Sequence, residues 1–449
     1  MIPEVLSDDS LGLTVVKAVF LLVFLLVWSL GNIWFERRML ARMQNRKGPN
    51  MTGPFGLLQG LADGLKLLFK EDIRPARTDR LVFNLAPFLV GVAAFATWSV
   101  LPLGGKVSMF GEETLLQITD FSVSILFVLA IGAVGVYGVV LGGWASNGTY
   151  SLFGSMRAIA QMISYQVAMG LSVVAVFMCA GSMSAGEIVN AQQAPISVAS
   201  IELPLSGWYA ILLLPSFITY LISMFGQTNR APFDLSKCES ELVSGVLTDY
   251  SGFRFALFFL AEYINMAMVS AVATTLFLGG YHAPPPFAGG ALDQGWWGLL
   301  WFFLKVQALI FLFVWVRASL PRLRYDQFMS LGWKVLIPAN LAWLFILAVI
   351  NGLRLEFSLP LIIMATVVAL AILIAIAVMM LQNWLAERTA AVDAGRSAVA
   401  SQRFDAFAGG YPVPPQPGEQ LPELAGFVPA TLTVAVLRDN RKPPKGGTE

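Results

Sequence analysis

Glu262 sits in Phe258-Phe-Leu-Ala-Glu-Tyr-Ile-Asn-Met266, a carboxylate set among aromatic and aliphatic residues. It lies about nine residues into an apolar run, roughly 14 Å along a helix. An ionisable group at that depth is costly, faces protein or water rather than lipid, and points to proton or ion chemistry. The plainer reading is a structural ion pair. Lys305, in Phe303-Leu-Lys-Val-Gln307, is the obvious intramembrane cation, although it could equally snorkel to the nearer surface. A second group of carboxylates, Asp234, Glu239, Glu241 and Asp249, falls within one short loop. A solvated acidic loop would explain it. Against that, Leu242, Val243, Val246 and Leu247 interleave with the acids, and partly buried carboxylates have raised pKa values and gather at functional sites.

The third group needs a helix to make sense. Over residues 55–70, apolar side chains at 57, 58, 61, 65, 68 and 69 follow a helical period. Gln59, Asp63, Lys66 and Lys70 then form one narrow polar stripe. Two readings stand: an amphipathic helix at the interface with its stripe in water, or a stripe facing a polar cavity in which Asp63 and Lys66 pair. The preceding segment, residues 35–50, is basic (Arg37, Arg38, Arg42, Arg46, Lys47) with a lone carboxylate, Glu36. Finally, Arg317, Arg322 and Arg324 crowd a membrane exit with Asp326 among them, where they could bind headgroups or anchor a helix.

The elements that position these groups follow from composition. The chain has 449 residues, 57% hydrophobic and 13% charged, with mean hydropathy +0.70. Soluble domains carry about 25% charged residues, so this chain cannot cover a water-facing surface of its size. Its apolar runs are about 20 residues long, the length that spans a bilayer. The fold class is all-α and polytopic, with about nine transmembrane helices and an amphipathic helix on the cytoplasmic side. The spans fall near 13–34, 81–103, 122–144, 158–180, 207–226, 253–279, 296–316, 333–351 and 359–382. Pro87, Pro215 and Pro338 mark kinks in the second, fifth and eighth.

Orientation follows from the cations. Of the 29 lysines and arginines, all but Lys17, Lys106, Lys305 and Arg354 fall in one alternating set of segments. The positive-inside rule puts those segments and the C-terminus in the cytoplasm and the N-terminus outside, as an odd number of crossings requires. The N-terminus, with Asp8-Asp9 ahead of the first run and no basic region, reads as a retained helix rather than a cleaved signal. Residues 383–449 turn Pro- and Gly-rich and read as a cytoplasmic tail, disordered or draped on a partner.

The same inventory excludes several functions. Net charge is +1, so no basic field argues for nucleic acid. Two cysteines, Cys179 and Cys238, and one histidine, His282, cannot build an iron–sulfur cluster, a haem site or a typical zinc site. No nucleotide fingerprint occurs. Neither a catalytic nor a metal-ligating set is assigned. What remains suits ion movement or a lipid-soluble substrate.

Three stretches together carry a family resemblance. The first is Glu36-Arg37 with Gln44-Asn-Arg-Lys-Gly-Pro-Asn50 and Gly53-Pro-Phe-Gly-Leu-Leu-Gln-Gly-Leu-Ala-Asp-Gly-Leu-Lys66. The second is Thr228-Asn-Arg-Ala-Pro-Phe-Asp-Leu235 with Glu239-Ser-Glu-Leu-Val-Ser-Gly245 and Phe258–Tyr263. The third is Arg317 with Pro321-Arg-Leu-Arg-Tyr-Asp-Gln327. From the first span to about residue 351 the chain resembles the quinone-chamber membrane subunits of proton-pumping NADH:quinone oxidoreductase, respiratory complex I.

The resemblance implies a subunit of an oxidoreductase in a bacterial inner membrane, partnered by other membrane and peripheral-arm subunits. Those partners would carry FMN and the iron–sulfur clusters, while quinone would be the substrate here, with no cofactor bound covalently. It implies a quinone chamber lined by Glu36, Arg37, Arg46, Asp63, Lys66, Arg230, Asp234, Arg322 and Arg324. It also implies a proton route, which we read through Glu239, Glu241, Asp249, Glu262 and Lys305. The chain departs from the pattern at Gln166 and Gln227, where the family usually has glutamate, and at Ser236-Lys237, where an acid is common. A glutamine cannot titrate, so neither Gln166 nor Gln227 carries a protonation charge. Two other functions share parts of the pattern: the membrane anchor of a related hydrogenase, and a free-standing ion transporter, whose usual inverted repeats are not visible here.

Overall fold

The computed structural model describes residues 9–109, 111–193, 195–198, 201–234, 242–284, 293 and 295–356. The expected ninth span at 359–382, the tail, Glu239 and Glu241 lie outside the described residues.

Helix α1, Leu11–Met43, starts at Ser10, whose side chain accepts the Leu13 N–H. It runs past the expected end near residue 34 because Glu36, Arg37, Arg38, Met39, Leu40 and Ala41 are good helix formers. The amphipathic helix α2 spans Gln59–Phe69. Helix α3, Arg80–Ala96, is capped by Asp79, which accepts the N–H groups of Leu81 and Val82. Helix α4 is Ser124–Ala145; α5, Thr149–Ala180, ends on Gly181 at φ +70°, the left-handed stop that glycine allows. Short α6, Ala185–Ala191, precedes α7, Tyr209–Leu212, and α8, Leu214–Gln227. Then come α9, Gly252–Phe277, α10, Trp297–Ser319, α11, Tyr325–Ser330, and α12, Ile337–Glu356. A π-helical turn, Leu331–Leu336, joins the last two.

Among the described residues, seven helices are long and apolar enough to cross a membrane: α1, α3 with the turn to Val100, α4, α5, α9, α10 and Tyr325–Gly352. The expected fifth span is broken into two helices rather than continuous. At Leu213 the backbone leaves helical geometry (φ −110°, ψ 43°), and Pro215, which can neither donate an amide nor tolerate a preceding helical turn, opens a new helix. The result, α8, has 14 residues, and α7 and α8 together lead from Trp208, over Lys305 at the far end of α9, to Arg230 beside Glu36. Two small antiparallel hairpins also interrupt the helices: β1, Gly104–Met109, with β2, Glu112–Leu116, and β3, Pro195–Val198, with β4, Ile201–Ser206. They close loops at the end opposite the arginine-rich segments.

Helix α9 is the most enclosed of the seven and touches α1, α2, α3, α8 and α10. Trp98, Tyr165, Tyr220, Phe83, Phe277 and Phe302 fill the core. Helices α5 and α8 meet where Gly226 lies on the Tyr165 ring; a Cβ at 226 would stand 2.3 Å from Tyr165 Cγ. Asn340 bonds Thr219 and Ser172 across three helices, the kind of polar glue that joins helices where lipid supplies no hydrophobic drive.

Asp120, between β2 and α4, is buried and accepts Ser184 Oγ–H at 2.9 Å and the Gly186 N–H at 3.3 Å. Burial pushes its carboxyl above the ordinary 3.8, against these hydrogen bonds. The folded state therefore holds this proton more tightly than the unfolded chain. Stability is greatest below the unfolded value and is lost as pH rises through the folded one. Asp120→Asn should thus raise the thermal midpoint near pH 7, with the gain fading toward about pH 4. A difference that stayed constant across pH would show that titration is not its cause.

Candidate functional site

Glu36 is buried near the arginine-rich end of α1, at 4% exposure. Its carboxylate accepts Arg230 Nη1 at 3.2 Å on both oxygens, Tyr263 Oη–H at 2.8 Å and Arg317 Nη1. Arg230 Nε lies 3.0 Å from Glu262 Oε1, and the guanidinium stands over the Tyr263 ring, 4.4 Å from its centroid. Two carboxylates and two guanidinium groups thus form one neutral cluster, Arg317–Glu36–Arg230–Glu262. Glu36 and Arg230 are 194 residues apart in sequence.

Local structure aims Arg230 inward. The chain leaves α8 through Thr228, whose hydroxyl bonds back to the Met224 carbonyl at 2.9 Å, and Asn229 at φ +49°, a conformation that asparagine tolerates better than most residues. The Arg230 N–H then donates to the Phe225 carbonyl and the Phe233 N–H to that of Arg230. Gln161 Nε2 holds both ends of this turn, bonding the carbonyls of Gly226 at 2.9 Å and Phe233 at 2.8 Å. Burial opposes the positive charge on Arg230, but Glu262 and Glu36 outweigh it and hold the guanidinium above the ordinary arginine range. It stays cationic.

The neighbouring residue on α1, Arg37, faces elsewhere, since successive side chains on a helix are about 100° apart. It pairs with Asp63 of α2 at 2.6 Å, both half-exposed. Gln59 also donates to Asp63, at 3.0 Å. The expected Asp63–Lys66 pair is therefore replaced by a pair between helices, which a helical wheel of α2 alone cannot reveal. Arg37 and Asp63 stand at the rim of a cavity of about 630 Å³ between α1, α2 and the start of α9, walled mainly by aliphatic and phenyl groups, with Gly64 and Lys66 on α2.

A smaller cavity, about 70 Å³, lies on the other side of Glu262; its wall is mainly apolar, with Gln227, Thr228, Asn229 and Asn265 as its polar members beside Glu262. Gln227 Oε1 and Asn229 Oδ1 are buried without a hydrogen-bond partner among the described residues. Such orphans call for water, and the space admits a few molecules at about 10–15 Å³ each. Gln227, where the family usually has an acid, thus faces the space beside Glu262. Gln166 instead donates to the Leu129 carbonyl on α4, at 2.9 Å. Asp249 sits beyond Val246 and Leu247, which also line this cavity, against Gly148 at the start of α5. Burial raises its pKa, offset in part by a Ser146 hydrogen bond.

The remaining expected residues lie apart from the cluster. Arg46 is exposed and bonds Gln44; Arg322 and Arg324 are exposed, and Asp234 is half-buried. Leu242 and Val246 are buried as the interleaving predicts, but Val243 is exposed. Lys305 neither snorkels nor meets Glu262. Its ammonium donates to the carbonyls of Leu278, Gly280 and His282 at 2.6–3.0 Å and lies over the Trp208 ring. A cation at the C-terminal end of α9 suits the helix dipole. His282 beside it lies 3.6 Å from Asp293, and burial lowers its pKa.

Two cluster members are absent from the sequence-derived set. Arg317 reads as a headgroup ligand or an anchor because arginines at a membrane exit are ordinary, and Tyr263 carries no role of its own in the sequence beyond its place in the Phe258–Tyr263 motif. The only available signal was adjacency: Tyr263 follows Glu262, and Arg317 opens the basic exit.

The sequence profile of the NADH dehydrogenase family matches residues 16–348. The chain is 53% identical to an NADH-quinone oxidoreductase subunit of Cutibacterium acnes, over 98% of this chain and 99% of that protein. A buried charge cluster behind an apolar cavity and a polytopic helical fold accompany that likeness, and the chain belongs to the NADH dehydrogenase family of membrane subunits.

Proposed function

We propose that this chain is the membrane subunit of a respiratory NADH:quinone oxidoreductase that admits quinone between α1, α2 and α9 and couples its reduction to proton translocation. The supporting observation is the 630 Å³ cavity with the Arg37–Asp63 pair at its rim, next along α1 from buried Glu36. An apolar wall suits an isoprenoid substrate, and a polar rim suits a headgroup with two carbonyls. The arginine-rich end faces the cytoplasm, where flavin- and iron–sulfur-bearing partners deliver electrons, and the N-terminus faces outward across a bacterial plasma membrane.

Quinone takes two electrons and two protons to become quinol. Electrons arriving near the cluster bring negative charge into a region of low dielectric. At an effective dielectric of about 20, a unit charge 4 Å away is worth about 4 kcal/mol, enough to change which cluster carboxylate holds Arg230. Glu262, between Arg230 and the small cavity, converts that shift into proton uptake. Asp249 lies toward the cytoplasmic rim of the same cavity, and Glu239 and Glu241 extend the acidic side of the route. Arg46, Lys66, Asp234, Arg322 and Arg324 provide the polar surround of the chamber mouth, and Lys305 sets the far end of α9.

Gly64 provides the test. A Cβ there meets nothing within 4 Å, and tryptophan is a better helix former than glycine, so Gly64→Trp fills the cavity without disturbing α2. In membranes holding the assembled complex, quinone reduction should fall about tenfold or more, one missing near-attack geometry being worth roughly that. NADH oxidation by a water-soluble acceptor upstream of the quinone should be unchanged. Undiminished quinone reduction in the variant would defeat the proposal.

A further inference from the structure

Arg230 is bound in an unusual way for a buried guanidinium. Its Nη1 bridges the two oxygens of Glu36. Nε, although 3.0 Å from Glu262, is misaligned for a hydrogen bond, and Nη2 has no acceptor among the described residues. Buried donors are nearly always satisfied, and a fork that pairs fully with a carboxylate is locked in place. Directional bonding to the carboxylates is confined to one nitrogen, and Coulomb attraction toward both of them does the rest. Beneath the guanidinium lies the Tyr263 ring, 4.4 Å from Arg230 Cζ to the centroid. An aromatic face attracts a cation without requiring one orientation, since the attraction comes from the ring quadrupole. The Tyr263 hydroxyl is tied to Glu36 at 2.8 Å, which fixes the ring.

We infer that Tyr263 is a positioning residue: its ring is a bearing surface on which Arg230 shifts between Glu36 and Glu262. The inference rests on the coupling role proposed above and gives it a moving part. Two carboxylates compete for one cation held by a single directional nitrogen, so a change of charge on either side moves the guanidinium without first breaking a full fork. A fully hydrogen-bonded arginine would need that break. Tyr263 touches neither wall of the 630 Å³ cavity, so its effect falls on turnover rather than on quinone affinity.

Ring electrostatics can be varied at nearly constant shape. In the assembled complex, Tyr263→Phe loses the hydroxyl but keeps the face, and Glu36 keeps both arginines. Its kcat, which includes the cost of the lost hydroxyl, is the reference against which the fluorinated ring is read. Trifluorophenylalanine at 263 has almost the same shape but a weakened quadrupole. There kcat and protons moved per electron should fall, kcat by about tenfold relative to Tyr263→Phe, with the quinone KM unchanged in both. A purely structural role predicts equal behaviour of the two rings, and that result would overturn the inference. So would a parallel rise in KM, which would put Tyr263 against the substrate. Gly64→Trp separates the two ideas. If it blocks quinone reduction while the two rings behave alike, the bearing surface fails and the chamber stands; if it does not block, the chamber reading fails.

Discussion

Arg230→Met is expected to destabilise the subunit by about 3–5 kcal/mol, the cost of removing one partner from a buried ion pair. The variant keeps the volume and removes the cation shared by Glu36 and Glu262, both mostly buried. Glu36 retains Arg317, whose side chain is 43% exposed and can also turn to solvent. The expected readout is a large drop in the amount of subunit assembled into the membrane complex and in the temperature of half-inactivation. Because the penalty comes from uncompensated charge, Arg230→Met combined with Glu262→Gln should be less harmful than Arg230→Met alone. Residues that share one network couple in this way. If the single variant assembles and inactivates like the parent, the cluster is not a unit and Arg230 is dispensable.

Glu262→Gln is expected to separate the two halves of the activity. Glutamine keeps an oxygen facing Arg230 and the shape of the pocket, so quinone reduction should continue at a lowered rate. It cannot take a proton, and Gln227, Asn229 and Asn265 around the small cavity cannot substitute for it. Protons moved per electron should therefore fall by more than half, read as acidification of inverted vesicles against NADH consumption. Glu262→Asp, still titratable but shorter, should recover part of the ratio. A full ratio in the glutamine variant would remove Glu262 from the route and leave Asp249 and the acids at 239 and 241 to carry it.

The contrast between these variants bears on why the chain tolerates Gln166 and Gln227. Gln166 is spent on a backbone carbonyl of α4, a bond in which its amide donates and a carboxylate could not. Gln227 leaves Oε1 unpartnered among the described residues, beside Glu262. The first is a helix-to-helix tie; the second faces the small cavity that Glu262 also lines. Among the described residues that line that cavity, Glu262 carries the carboxylate.

Much of this protein is written locally. Sparse charge and runs of about 20 apolar residues require a bilayer. The helical period of residues 55–70 predicts α2, and the cost of a carboxylate deep in an apolar run marks Glu262, because these depend on neighbours in sequence and on solvent alone. Span five shows the limit. Hydropathy averages over a window, whereas a single backbone break at Leu213 ahead of Pro215 decides whether the helix continues. Only the tertiary structure pairs Glu36 with Arg230, turns Asp63 toward Arg37 instead of Lys66, sends Lys305 to the carbonyls at the end of α9, and lays Arg230 on Tyr263. Each depends on which helix faces arrive together, and burial makes those long-range partners matter: once water is excluded, a charge takes whatever opposite charge or dipole the packing brings within about 4 Å.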